Sequence, residues 1–133
     1  MNKSARRWIE PTVLFAAHDR QIAEHGGSEG IRDRSVIESA LARPQNLTAH
    51  GTPDAAEPAA AYAYGLARNH GFVDGNKRIA WISARLFLAD NGYSLTFEPL
   101  DAIRLMQNLA AGRISESELA GWFRQRIEPR EKA

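Results

Sequence analysis

An all-α domain of about six helices is the fold predicted for this chain of 133 residues. Two observations carry most of that prediction. Apolar residues recur at i, i+3, i+4 and i+7 in successive segments, the stripe of an amphipathic helix. Prolines and capping residues open these segments, and glycines or an Asn-Gly pair close them. A third observation is that one short stretch, YSLTF at residues 93–97, reads as an extended link, so little or no sheet is expected. At this length residues 1–133 form one domain, able to bury a core without covalent staples.

The first helix is predicted from Pro11 to His25, with proline in its first turn and Gly26–Gly27 as the stop. GGSEGIRD is a glycine-rich loop, and Asp33 is the N-cap of a helix through RSVIESALAR that Pro44 should end. PQNLTAHGTPD then reads as irregular. Asp54 and Glu57 have capping-box spacing, ahead of a stripe of Ala59, Tyr62, Ala63 and Leu66 that should stop near His70. The next stripe, Ile79, Ile82, Ser83 and Leu86, closes at Asn91–Gly92. Its run IAWISARLFLA is so apolar that this helix is expected to be the buried central one. Pro99 opens a helix with Ala102, Leu105, Met106 and Leu109 on one face. Ser115 and Glu118 form a capping box for a last helix carrying Leu119, Trp122, Phe123 and Ile127, before a charged tail, EPREKA, expected to fray.

Composition excludes several function classes. With no cysteine, disulfides and thiolate metal sites are ruled out. Seventeen basic against 16 acidic residues leave a net charge of +1, giving no global field toward nucleic acid or an anionic membrane, and no basic stripe is present. No apolar run approaches a membrane span, and no secretory h-region follows the basic N-terminus, so a cytoplasmic location is expected.

The chemistry gathers in one loop, NHGFVDGNKRIA at residues 69–80. A helix start offers unpaired N–H groups and the positive end of the dipole, which favour an anion. Gly75 permits close backbone approach to a phosphate. Lys77 and Arg78 lie in that first turn, where the dipole disfavours cations, and an anion between them resolves the conflict. Asp74 supplies a hard oxygen of the kind Mg²⁺ takes alongside phosphates. His70, at the opposite helix end, is of the residue type suited to accept a hydroxyl proton. Singly these are ordinary features: a helix-end histidine, an Asp-Gly turn, a solvated basic pair, and Asn76 as an N-cap. Together they point to phosphoryl or nucleotidyl transfer. Phe72 is expected to plug into the core and fix the loop's shape.

The segment HGFVDGNKR resembles the motif of the Fic/Doc superfamily, and more closely that of the Doc (death-on-curing) toxins, HxFxDxNKR. His70, Phe72, Asp74, Asn76, Lys77 and Arg78 occupy every specified position, and HGGSEGIRDRSVIESALARPQ is similar to the N-terminal half of such proteins. The resemblance spans most of residues 14–95. It implies an α-helical Fic fold with ATP as substrate and Mg²⁺ as cofactor. His70 would be the base and Asp74 the metal ligand, with Gly75, Asn76, Lys77 and Arg78 on the phosphates and Arg68 as a further phosphate contact. Lys77 and Arg78 would share in catalysis by neutralising charge.

Adenylyl-transferring Fic proteins read HPFxxGNGR, with a second arginine one turn later. Here Lys77 replaces the second glycine, Trp81 the later arginine, and Gly71 the proline. By its likeness to Doc, the chain is expected to transfer the γ-phosphate of ATP to a Ser/Thr hydroxyl of a target protein, elongation factor Tu, and so arrest translation. The alternatives are AMP transfer by a Fic-type adenylyltransferase, or a non-catalytic module that binds its antitoxin. The resemblance also implies a cognate antitoxin whose C-terminal segment lies in a groove, for which Val13, Phe15 and Ile22 are candidates. No inhibitory (S/T)xxxE(G/N) helix precedes the motif. Residues 43–54 are expected to form a substrate flap that pairs main chain with the target, while Asn46 and His50 are given no role.

Overall fold

The computed structural model describes residues 6–130. Six helices and a two-stranded ribbon follow one another: α1 (Pro11–His25), α2 (Arg34–Ala49), α3 (Ala56–Arg68), α4 (Asn76–Asp90), β1 (Tyr93–Leu95), α5 (Pro99–Ala110), α6 (Glu116–Arg124) and β2 (Ile127–Pro129). The all-α expectation is met.

The buried centre is α3 rather than α4. Nearly every residue of AEPAAAYAYGLAR is buried, and the helix packs against α2, α4, α5 and α6. Alanine buries little area per residue, but its small size lets several helices approach one axis. At Gly65 a Cβ would stand 3.0 Å from the Ala40 Cβ on α2, so that crossing has no room for a larger residue. By contrast α4 buries one face (Ile79, Ala80, Ser83, Ala84, Phe87, Leu88), while Trp81, Ile82 and Leu86 stay half-buried. Phe87 anchors that face, stacked on Trp8 at 5.6 Å and tilted against Tyr62 at 5.5 Å. The buried Tyr62 hydroxyl accepts a hydrogen bond from the Ile9 N–H at 3.0 Å, tying the segment before α1 to the central helix.

Two local expectations fail for reasons of packing. Pro44 does not end α2, which runs on to Ala49 with Pro44 inside it and buried. An interior proline costs about 3 kcal/mol, but Leu41 and Pro44 both lie against the core, and that burial carries the helix through. The expected irregular stretch therefore shrinks to residues 50–55. Ile127 leaves the last helix and enters β2, where it pairs with Leu95 opposite β1. Of the charged tail, Glu128 and Pro129 belong to β2, and the Arg130 N–H donates to the Gly92 carbonyl at 2.9 Å. Residues 131–133 of that tail, like residues 1–5, lie outside the described residues.

The caps explain the remaining boundaries. Asp33 accepts from the Ser35 N–H at 3.0 Å, and Ser115 and Glu118 make both bonds of a capping box. Asp54 accepts from the Glu57 N–H at 3.1 Å without the reciprocal bond, and its carboxylate instead meets Arg124 of α6 at 2.6 Å.

Candidate nucleotide-phosphate site

The loop between α3 and α4 is held on three sides. Asn69 caps α3, and His70 follows at φ +50°, in the left-handed region that reverses the chain at a helix end. Gly71 then passes so close to α2 that a Cβ would collide with Ile37 and stand 3.1 Å from Val36 Cγ2. This contact accounts for glycine where proline would not fit. The Gly71 carbonyl accepts from the N–H groups of Arg32 and Asp33 at 2.8 and 2.9 Å. Phe72 forms an antiparallel bridge with Ile31, and the Val73 N–H donates to the Gly30 carbonyl at 3.1 Å. The segment just before α2 thus runs beside the motif as a strand-like edge.

Phe72 is buried as expected, with its ring stacked 3.7 Å from the imidazole of His18 and in edge contact with Phe15 at 5.9 Å. Asn76 clasps the loop: its side chain accepts from the Phe72 N–H at 3.1 Å and donates to the Phe72 carbonyl at 3.0 Å. That use leaves its main-chain N–H, rather than its carboxamide, to face a ligand.

The start of α4 is open. Gly75, at φ +77°, is its N-cap, no side chain caps it, and no acidic residue lies in its first turn. The N–H groups of Asn76, Lys77 and Arg78 occupy that turn, where helix geometry supplies no acceptor. Asp74 stands beside this opening with its carboxylate already organised. Oδ2 accepts from the Ser28 N–H at 3.1 Å and Oδ1 from the Gly75 N–H at 2.8 Å. The Ser28 and Gly75 amides first, then the nearby Arg78 guanidinium and His18, hold this carboxyl below the usual carboxylate range. Arg78 reaches back to the Gly26 carbonyl at 3.1 Å. Gly27 lies between these tethers: a Cβ there would stand 2.9 Å from Asp74 Oδ2 and 3.2 Å from Arg78 Nη2, and its φ of +120° suits glycine alone.

His70, Asp74, Gly75, Asn76, Lys77 and Arg78 line one cavity of about 550 Å³. Six of the seven residues nominated from the sequence therefore converge, although they come from both sides of a chain reversal. Arg68 does not join them. Its guanidinium lies 5.5 Å from the Tyr64 ring centre and against Gly112 at the end of α5, outside the cavity lining. A mainly apolar cavity of about 370 Å³ adjoins the first, sharing Lys77 and Arg78 and walled by Trp81, Arg85, Phe97 and Met106 between α4 and α5.

Mg²⁺ with a polyphosphate fits this donor set, and a bare metal does not. Among the described residues no group of three or more His, Cys, Asp or Glu could hold a metal ion. One ionised carboxylate beside an anion-accepting helix start is what a cation sharing its coordination with phosphate oxygens requires.

Two surfaces nominated from the sequence have a different local structure from that expected. Residues 43–49 are helical, so their backbone cannot pair with a target strand. The link after them precedes α3, whose 13 residues span roughly 20 Å between it and His70. Main chain near the motif comes instead from Gly30–Asp33. Of the candidate groove residues on α1, Ile22 is buried and Phe15 packs edge-on to Phe72, leaving only Val13 well exposed. Sequence reasoning missed His18 and Gln21 of α1, the first bonded to the Asp74 carbonyl and the second lying beside Gly75. Their signal was two polar residues on the same buried stripe as Leu14 and Ile22.

A family model described as the Fic/DOC family matches residues 8–88. The chain is 38% identical over 120 residues to "Protein kinase doc" of Escherichia phage P1, an alignment covering 90% of this chain and 94% of that protein. It is 40% identical over 106 residues to "Toxin Doc" of Mycolicibacterium smegmatis, covering 73% of this chain and 81% of the relative.

Proposed function

This chain belongs to the Fic/Doc family, and on that footing we propose that it is a Doc-type toxin acting as an ATP-dependent protein Ser/Thr kinase. The observation that carries the reading is the uncapped start of α4, with Lys77 and Arg78 in a first turn that holds no acid. Isolated, that arrangement sets two cations against a positive dipole end; a polyphosphate reverses the sign of the interaction.

In this mechanism the N–H groups of the first turn, Lys77 and Arg78 hold the phosphates, and Asp74 contributes the protein's carboxylate to Mg²⁺. A Mg²⁺ held there by Asp74 would supply charge neutralisation for the phosphates. His70 lines the same cavity and takes the proton of a Ser or Thr hydroxyl as the hydroxyl oxygen bonds to the γ-phosphorus. The bond from γ-phosphorus to the bridging oxygen breaks, and ADP leaves with the electron pair. Phosphoryl transfer needs positioning and charge neutralisation more than covalent participation, and those are what this loop offers. Lys77, which stands where adenylylating relatives have glycine, supports γ-phosphoryl over adenylyl transfer. Arg68, whose guanidinium rests on Tyr64 outside the cavity lining, is given no step in this mechanism.

The target strand lies along Gly30–Asp33, whose backbone runs beside the motif. By analogy with Doc, the acceptor is elongation factor Tu in the cytoplasm, and its modification stops translation. No helix among the described residues is long and apolar enough to cross a membrane. The C-terminal segment of a cognate antitoxin occupies the apolar cavity between α4 and α5, where it abuts Lys77 and Arg78. Mass spectrometry of a cell lysate treated with the protein and Mg²⁺·ATP tests the reading. A phosphate increment on one abundant translation factor is expected, and an AMP increment or none would refute it.

A further inference from the structure

His18 and Gln21 sit one turn apart on the buried face of α1, at 2% and 4% exposure. Buried polar side chains persist where their hydrogen bonds are satisfied or their cost serves another end. His18 is satisfied: its Nε2–H donates to the Asp74 carbonyl at 2.7 Å while its ring stacks on Phe72. Gln21 is not, because neither its amide nitrogen nor its carbonyl oxygen has a partner. Yet Gln21 is not placed at random. A Cβ on Gly75 would collide with its Nε2, and would stand 3.4 Å from His18 Nε2. His18 therefore bonds the Asp74 carbonyl while the Gln21 amide stands beside the next residue, Gly75, so both flank the Asp74–Gly75 link. That peptide leads from the carboxylate of Asp74 directly into the start of α4.

We propose that His18 and Gln21 are positioning residues that set the Asp74–Gly75 peptide, and so aim the Asp74 carboxylate and the α4 start at a metal-bound polyphosphate. The inference rests on reading this loop as a nucleotide-phosphate site. His18 fixes the carbonyl. Gln21 holds an unspent donor and acceptor beside Gly75, free to bond loop backbone that shifts as the loop takes up its ligand. If Gln21 were only core filling, leucine would serve better, having similar bulk and no unpaired polar atoms.

The contrast sets the experiment. Gln21→Leu, His18→Phe and His18→Gln are compared with the parent for melting temperature, loop amide exchange with and without saturating Mg²⁺·ATP, and calorimetric binding of Mg²⁺·ATP. Gln21→Leu should melt at or above the parent temperature, yet protect its Asp74–Lys77 amides less than the parent once Mg²⁺·ATP is bound, and bind it about tenfold or more weakly, the usual loss when support behind a metal ligand is removed. His18→Phe keeps a ring against Phe72 but loses the donor, and should show the same local defect. His18→Gln, which can place an amide N–H near the lost Nε2, should recover most of the binding. Unchanged loop exchange in both Gln21→Leu and His18→Phe overturns the proposal whatever the nucleotide result. Failure of the parent itself to bind Mg²⁺·ATP overturns the nucleotide reading instead, and the exchange comparison still decides whether the pair positions the loop.

Discussion

Gly75→Ala is the most informative single substitution, because two separable costs meet at one atom. At φ +77° an L-residue pays about 1–2 kcal/mol for the left-handed backbone. The new methyl also meets Gln21 Nε2, the far end of a flexible side chain that can shift aside, and comes within 3.2 Å of Ile22 Cδ1, an overpacking at the low end of the usual range, about 1 kcal/mol. The sum, about 2–3 kcal/mol, corresponds to roughly 7–11 °C in melting temperature for a chain of 133 residues. A double-mutant cycle with Gln21→Ala divides it. Removing the Gln21 side chain should relieve the contact but not the backbone strain, giving a favourable coupling of about 1 kcal/mol in urea titrations followed by circular dichroism. A Gly75→Ala protein as stable as the parent would refute the strain argument. A coupling near zero would show that Gln21 does not press on the loop.

Other expectations concern chemistry, docking and acid stability. With γ-labelled ATP and a lysate the parent should label a protein band, α-labelled ATP should not, and His70→Ala should abolish labelling while melting within a few degrees of the parent. Arg85→Glu, which reverses charge at the rim of the α4–α5 cavity, should weaken capture of the antitoxin segment at least tenfold in a pull-down titration, with kinase labelling retained. Arg124 first, by a direct hydrogen bond, holds the Asp54 carboxyl below its ordinary value of 3.8. A depressed folded-state pKa means this contribution is present above about pH 4 and is lost as pH falls through the lowered value. The melting-temperature gap between the parent and Asp54→Asn should therefore be visible at pH 7 and close as pH falls through that lowered value.

Legibility in the sequence followed the range of the interactions. The motif could be read because His70 to Arg78 are contiguous, and a helix start, a glycine and two cations carry their meaning locally. The support behind it could not, since His18 and Gln21 meet Asp74 and Gly75 across more than fifty intervening residues, and nothing local tells a buried polar residue from an exposed one. The same limit misplaced the central helix. Apolar content pointed to α4, but what suits a helix to many neighbours is small size, and nearly half of α3 is alanine. Pro44 failed as a stop because burial outweighs a local penalty of a few kcal/mol. β2 went unseen because three residues are too few for alternation to register, and only pairing with β1 defines them. The flap assignment depended on which end of α3 a loop adjoins, which is a property of the assembled helices alone.

Amide chemical shifts of the ¹⁵N-labelled protein, titrated with Mg²⁺·ATP, test whether a polyphosphate sits at the α4 start facing His70. The N–H signals of Gly75, Asn76, Lys77 and Arg78 should move together with the His70 ring signals, saturating at one equivalent, while those of the β1–β2 ribbon stay in place. Shifts confined to other surfaces, or a loop whose signals ignore the nucleotide, would contradict that placement.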